Sequence, residues 1–177
     1  DVAAAAASAA STATWPAVAV VIPARNEADV IAESVGSLLG QDYPGPLGVT
    51  VIDDDSDDGT GDVARTAGAA GGPALTVVRG QPLPAGWTGK LWAVKQGVAA
   101  ALAQEPKPEF LLLTDADITH APDNVRTLVT RATQGGYVLT SLMARLRCTS
   151  FSERLHVPAF IYFFQMLYPF AWVAKPK

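Results

Sequence analysis

Asp115-Ala116-Asp117 sets two carboxylates two residues apart, directly after the apolar run Phe110-Leu111-Leu112-Leu113-Thr114. The run reads as a buried interior strand, and a helix is expected to open at Pro122. Two such acids at a strand's carboxyl end repel each other unless a cation neutralises them. A divalent metal carrying a phosphorylated ligand answers that need. Hard oxygen donors suit Mg²⁺ or Mn²⁺, which combine one or two carboxylates with phosphate oxygens. In an arbitrary sequence Asp-x-Asp marks a solvated turn; its place after an apolar strand is what gives it chemistry here.

Other polar clusters repeat that placement. Asp53 to Asp58 packs five carboxylates into six positions, after the strand-like Val49 to Ile52. A calcium-binding loop is excluded, because the twelfth position from Asp54 is Arg65 instead of Glu and no helix precedes it. Asp57 and Asp58 suit the cap of the next helix. Asp53 and Asp54 stand at the strand tip, where a carboxylate can accept hydrogen bonds from a base or ribose, with Asp53 preferred. Gly89-Lys90 opens a helix, and backbone N–H groups with a lysine there can meet an anion. Gly86-Trp87-Thr88-Gly89-Lys90 is nevertheless no phosphate-binding P-loop: Pro84 holds the first glycine's place and Leu91 follows the lysine. Pro23, Ala24, Arg25, Asn26 and Glu27 follow the first strand and form a floor for a nucleotide base or ribose. His120 is placed to be a third metal ligand, or a hydrogen-bonded loop histidine.

The elements that must position these groups alternate. Strands are expected at Val18 to Ile22 (ended by Pro23), Val49 to Ile52, Leu75 to Val78, Phe110 to Thr114 and Tyr137 to Leu142. Helices are expected at Val30 to Leu39 with Asp29 as N-cap, Asp62 to Ala70, Leu91 to Ala103 and Asp123 to Gln134. Such a march predicts an α/β fold with a mainly parallel sheet flanked by helices. Ligands on such sheets bind outside the carboxyl ends of the strands, where all these polar clusters fall.

Bulk properties narrow the partners. The 177 residues are 49% hydrophobic, enough for one cored domain, and the net charge of −4 with no basic patch argues against nucleic acid. Cys148 is the single cysteine, so no intrachain disulfide forms. Residues 1–16 read as an Ala/Ser-rich flexible linker to something upstream, 17–150 as the ligand-binding domain, and 151–177 as an aromatic segment. Within the last, Val157 to Val173 is 17 residues without charge, interrupted by Pro158 and Pro169. It fits an interfacial segment at headgroup level or a core helix whose partner follows in sequence.

Three stretches in order, Val-Ile-Pro-Ala-Arg-Asn-Glu (21–27), Val-Ile-Asp-Asp-Asp-Ser-Asp-Asp-Gly-Thr (51–60) and Thr-Asp-Ala-Asp (114–117), resemble the family 2 glycosyltransferases of GT-A, Rossmann-like fold. The stretch 83–93 and the aromatic tail are similar more narrowly to the hopanoid-biosynthesis-associated glycosyltransferases (the HpnB group). The resemblance implies that Ala24, Arg25, Glu27 and Asp53 line a nucleoside pocket and that Lys90 lies near a diphosphate. Asp115 would contact the ribose, and with Asp117 the diphosphate-bound Mn²⁺ or Mg²⁺. It implies a nucleotide-diphosphate sugar as donor (a UDP-sugar by family habit) and a lipid acceptor, at the cytoplasmic face of the inner membrane. Asp55 stands where the family's second motif usually has glycine. The family's downstream catalytic carboxylate is not found after Leu142, where Glu153 is the one acid. The base is therefore expected beyond Lys177, and the chain is expected to be a donor-binding fragment. A sugar-phosphate nucleotidyltransferase, or a nucleotide-binding fragment without turnover, are the alternatives.

Overall fold

A computed structural model describes residues 14–69, 72–146 and 148–169. Most of the expected linker, residues 1–13, and the end of the aromatic segment, 170–177, lie outside these. The chain divides into two compact units, the first ending at Thr140 and the second beginning at Ser141.

The first unit runs β1 (Val18–Ala24), α1 (Ile31–Leu39), β2 (Leu47–Asp53), α2 (Thr60–Gly68), β3 (Ala74–Arg79), α3 (Gly89–Leu102), β4 (Phe110–Leu113) and α4 (Asn124–Gly135). All strands pair in parallel, in the order β3-β2-β1-β4. β1 is central and covered on both faces, which is why its sequence is one continuous apolar run instead of an alternation. Val20, Ile22, Val49 and Val51 pack against Ile31, Val35 and Leu38 of α1 and Ala64 of α2. Ala19 and Val21 turn to the opposite face and meet Ala101 and Val98 of α3.

α3 can lie that close because its buried stripe is Ala93, Gly97 and Ala101. A Cβ added at Gly97 would come within 2.4 Å of Val21 Cγ1 and 3.1 Å of Ile52 Cγ1. The buried hydroxyl of Thr50 is satisfied by Gln104 Nε2 at 2.9 Å, just past the helix end.

Several expected boundaries move, each for a local reason. β1 runs through Pro23 to Ala24 instead of stopping at Ile22. Carbonyls of Ala17 and Val21 point toward β4, so the ring nitrogen of Pro23 points the same way. There β4 has already ended, with Thr114 N–H on Val21 O, and the proline's missing donor costs the sheet nothing. Asp29 does not cap α1. Val30 holds the N-cap position without a side-chain bond, and the Glu27 carbonyl receives the Val30 and Ile31 N–H groups.

The expected fifth strand at Tyr137 to Leu142 is absent. α4 ends in a Schellman turn with Gly136 left-handed at φ 61°, Tyr137 N–H bonding Ala132 O and Gly136 N–H bonding Thr133 O. Tyr137 is consumed by that turn, and the residues after it find no ladder. β4 is consequently an edge strand among the described residues, not the buried interior strand expected. Leu111 and Leu113 are 39% and 55% exposed.

In the second unit, α5 (Phe151–Leu167) begins with a reciprocal capping box. Glu153 N–H donates to Ser150 Oγ at 3.2 Å, and Ser150 N–H to Glu153 Oε2 at 2.8 Å. The Ser150 N–H, with that of Thr149, holds the Glu153 carboxyl down at about 2. Phe160, Phe164 and Tyr168 stack at successive centroid distances of 6.3 and 5.1 Å along one side. Among the described residues no helix is long and apolar enough to cross a membrane.

Candidate functional site

β2 and β3 continue on one side of β1, whereas β4 lies on its other side. Chain connections therefore diverge at the carboxyl ends of β1 and β4, which opens a crevice there. The crevice has a volume of about 340 Å³ and is walled by Arg25, Glu27, Asp54, Lys90, Asp115 and Asp117. Pro23, Ala24, Gly89, Ala93 and Ala116 supply its small or apolar floor. Of the expected site residues, Pro23, Ala24, Arg25, Glu27, Asp54, Lys90, Asp115 and Asp117 line this one cleft, whereas Asn26, Asp53 and His120 do not.

Asp53 is the correction. Strand side chains alternate between faces, and Asp53 shares the parity of Val49 and Val51, toward α1 and α2. Its carboxylate accepts the Ser56 N–H at 3.1 Å. It also overlies α2 so closely that a Cβ on Gly61 would sit 2.4 Å from Oδ2. Asp54 has the parity of Thr50 and Ile52, toward α3, and enters the cleft.

The Asp54 side chain is 13% exposed, with Arg25 Nη1 3.8 Å away. It fits because Gly80 and Gly89 stand on either side; a Cβ on Gly89 would lie 3.0 Å from Asp54 Oδ2. Beside it, a second hollow of about 300 Å³ shares Arg25, Asp54 and Gly89 and continues along Arg79, Gln81 and Leu83. Arg79 bonds Asp55 at 3.1 Å across it. Arg79, at the end of β3, falls on the same sheet edge as the other polar clusters, where the sequence puts it; Gln81 and Leu83 escaped the sequence reading.

The loops after β1 and β2 are buttoned together. Asn26 N–H donates to Ser56 Oγ, and Asp57 N–H to Asn26 Oδ1, each at 3.1 Å. Glu27 N–H donates to Thr60 Oγ1 at 2.9 Å. Asp58 bridges the Ala28 and Thr60 N–H groups, both at 3.0 Å, and bonds with the Thr60 hydroxyl and these amides hold its carboxyl below the usual range. Asp58 therefore secures the start of α2 from one place before the N-cap. That position is Gly59, which makes no side-chain cap bond, so neither Asp57 nor Asp58 is the expected cap, and of Asp57 only the backbone N–H takes part. Asn26 and Asp55 turn with positive φ, 55° and 57°, which Asn and Asp tolerate better than other side chains.

Across the cleft, Lys90 in the first turn of α3 reaches Asp115 Oδ1 at 2.7 Å. The N-cap Thr88 makes no side-chain cap bond, so the helix's first N–H groups remain available at the cleft's edge. His120 is occupied elsewhere: Nε2 lies 3.1 Å from Thr114 Oγ1 and Nδ1 3.3 Å from Asn124 Oδ1. Burial depresses its pKa, favouring neutral imidazole, and it is no third ligand beside Asp115 and Asp117. Among the described residues no three His, Cys, Asp or Glu side chains gather as a metal cage.

Comparison with known proteins places this arrangement. The family model described as Glycosyl transferase family 2 matches residues 19–173. Mannosyltransferase PcManGT from Pyrobaculum calidifontis, solved with GDP-Man and Mn²⁺, superposes with a TM-score of 0.54 at 30% identity, over 68% of this chain and 33% of that one. S. aureus TarS 1–349 in complex with UDP superposes with the same TM-score at 24% identity, over 67% of this chain and 32% of that one, a likeness of fold. In sequence, a 4,4'-diaponeurosporenoate glycosyltransferase of Staphylococcus aureus is 34% identical over 114 residues, which is 64% of this chain and 27% of the relative. The chain thus spans about a quarter of that relative's length.

Proposed function

This chain belongs to glycosyl transferase family 2 and has the GT-A fold, and from that membership we propose that its cleft binds a nucleotide-diphosphate sugar with a divalent metal for transfer of the sugar to a lipid acceptor. The observation that carries this reading is convergence. Three loops and the first turn of α3 at one sheet edge bring Arg25, Glu27, Asp54, Lys90, Asp115 and Asp117 around a single crevice at the switch point. Similarity to a mannosyltransferase solved with GDP-Man and Mn²⁺ supports the donor class.

The donor set fits Mn²⁺ or Mg²⁺ carried in by a diphosphate. Two exposed carboxylates, Asp115 and Asp117, leave the remaining positions to phosphate oxygens and water. When bound, such a metal would neutralise charge accumulating on the departing diphosphate. Lys90, already within reach of Asp115, would meet a phosphate oxygen. Arg25, Glu27 and Asp54 would hold the nucleoside, with Asp54 accepting hydrogen bonds in a pocket half closed by Gly80 and Gly89. The cleft's acids are all engaged on the donor side, so the acceptor's proton is assigned to none of them. A UDP-sugar and a hopanoid or other polyisoprenoid-type acceptor, at the cytoplasmic face of the inner membrane, complete the reading. The aromatic run of α5 and the similarity to the diaponeurosporenoate enzyme support the acceptor side.

Calorimetric titration of UDP and GDP in Mn²⁺ or EDTA tests the donor site. Binding is expected to need the metal and to weaken at least about tenfold in Asp115→Ala/Asp117→Ala, the loss of one to two charge-assisted contacts. Binding that is indifferent to EDTA and to the double substitution would sink the metal-bridged donor.

A further inference from the structure

α1 carries two stripes. Ile31, Val35 and Leu38 are buried against the sheet. Glu33 and Ser37, four residues apart on another face, continue in register to Gln41, just past the helix end, and these three all reach the loop that bears Asp115 and Asp117. Thr119 Oγ1 donates to Glu33 Oε1 at 3.1 Å, and His120 N–H donates to Ser37 Oγ at 3.0 Å. Gln41 makes the central tie. Its Nε2 donates to Ala121 O at 2.8 Å and to Ser37 O at 3.0 Å, while its Oε1 accepts the Val125 N–H at 2.9 Å. Asp42 closes the series: its N–H donates to Pro122 O at 2.9 Å, and its carboxylate takes Arg126 at 3.1 and 2.9 Å.

Only one orientation of the Gln41 amide serves. Reversed, its oxygen would face two carbonyls and its NH₂ the Val125 N–H. The side chain is thus a three-way connector between α1, the acidic loop and the uncapped start of α4, where Asp123 makes no cap bond of its own. We infer that Gln41 is a positioning residue for the Asp115–Asp117 pair: it holds the loop so that both carboxylates keep their places in the cleft, without touching the ligand itself. The inference rests on the donor-site reading above.

Gln41→Glu separates positioning from folding. Its carboxylate keeps accepting the Val125 N–H, where negative charge also suits the helix dipole, so the fold is retained. It cannot donate to Ala121 O, and its oxygens repel that carbonyl, so the loop is released. In the full chain, Gln41→Glu is expected to lower the thermal midpoint by clearly less than Gln41→Leu does. Metal-dependent UDP affinity should fall about three- to tenfold, and amide exchange across residues 115–121 should speed up in protein without metal. Gln41→Leu should lose midpoint and affinity together. Wild-type affinity and exchange in Gln41→Glu would overturn the inference. So would a Gln41→Glu midpoint as low as that of Gln41→Leu, which marks a purely structural tie. Should wild type bind no nucleotide in Mn²⁺, the donor site is what fails, and the exchange comparison still decides the role of Gln41.

Discussion

Asp53 and Asp54, neighbours in sequence, are set to different tasks by the pleat of β2. Asp53 closes the turn into α2 through the Ser56 N–H, and Asp54 enters the cleft between two glycines. Asp53→Ala is therefore expected to cost about 1 kcal/mol of stability, the worth of a typical hydrogen bond, and to leave nucleotide affinity nearly intact. Asp54→Ala should do the reverse. Denaturant midpoints beside titration calorimetry check the pair, and equal loss of affinity in both variants would contradict the division. Motif position alone favours Asp53. The apolar parity of the strand, Val49 and Val51 on one face and Ile52 on the other, already carried the answer, but reading it required knowing which helix covers which face. The acids of the cleft were otherwise legible, because each lies within four residues of the end of an apolar run. The ties from Glu33, Ser37 and Gln41 were not, since residues some eighty positions apart meet only once the sheet order is fixed.

Elements whose signals are local were read nearly to their ends. α3 opens at Gly89, beside the lysine that marked it, and β2 and β3 extend their expected spans by a residue or two. Signals that depend on a partner misled. The run from Tyr137 has the composition of a strand, yet strand identity requires a ladder, and Gly136 turns the chain away before one forms. The edge character of β4 follows from the same absence among the described residues. Tertiary demand also explains Gly97, which intrinsic helix preference would replace with alanine at a gain of up to about 1 kcal/mol. Here the added methyl strikes Val21 and Ile52, and overpacking of that kind costs about 1–3 kcal/mol. Gly97→Ala is expected to lower the chemical denaturation midpoint; a raised midpoint would mean α3 rides farther from the sheet than described.

At the scale of the molecule, all cleft residues belong to the first unit and the stacked aromatic helix to the second. Donor recognition and lipid contact are accordingly expected to come apart. Phe163→Ser/Phe164→Ser should reduce co-sedimentation with liposomes while leaving metal-dependent UDP binding unchanged. Undiminished sedimentation would assign those rings to protein packing instead of the lipid interface. The architecture of the first unit was legible because alternating apolar runs and helical periods admit few parallel topologies. How α5 contributes was not, since an uncharged aromatic run serves a bilayer surface and a protein core equally well.

Lys90 and Asp115 meet at 2.7 Å although both side chains are more than half exposed. A pair so open to water contributes at most about 1 kcal/mol, so separating its members is cheap. A metal–diphosphate ligand of the kind proposed would bring both signs at once: its cation would take the carboxylate and a phosphate oxygen the ammonium. Occupancy would then open one ion pair and form two, with the cation keeping its diphosphate throughout, so neither Lys90 nor Asp115 would be left without a partner.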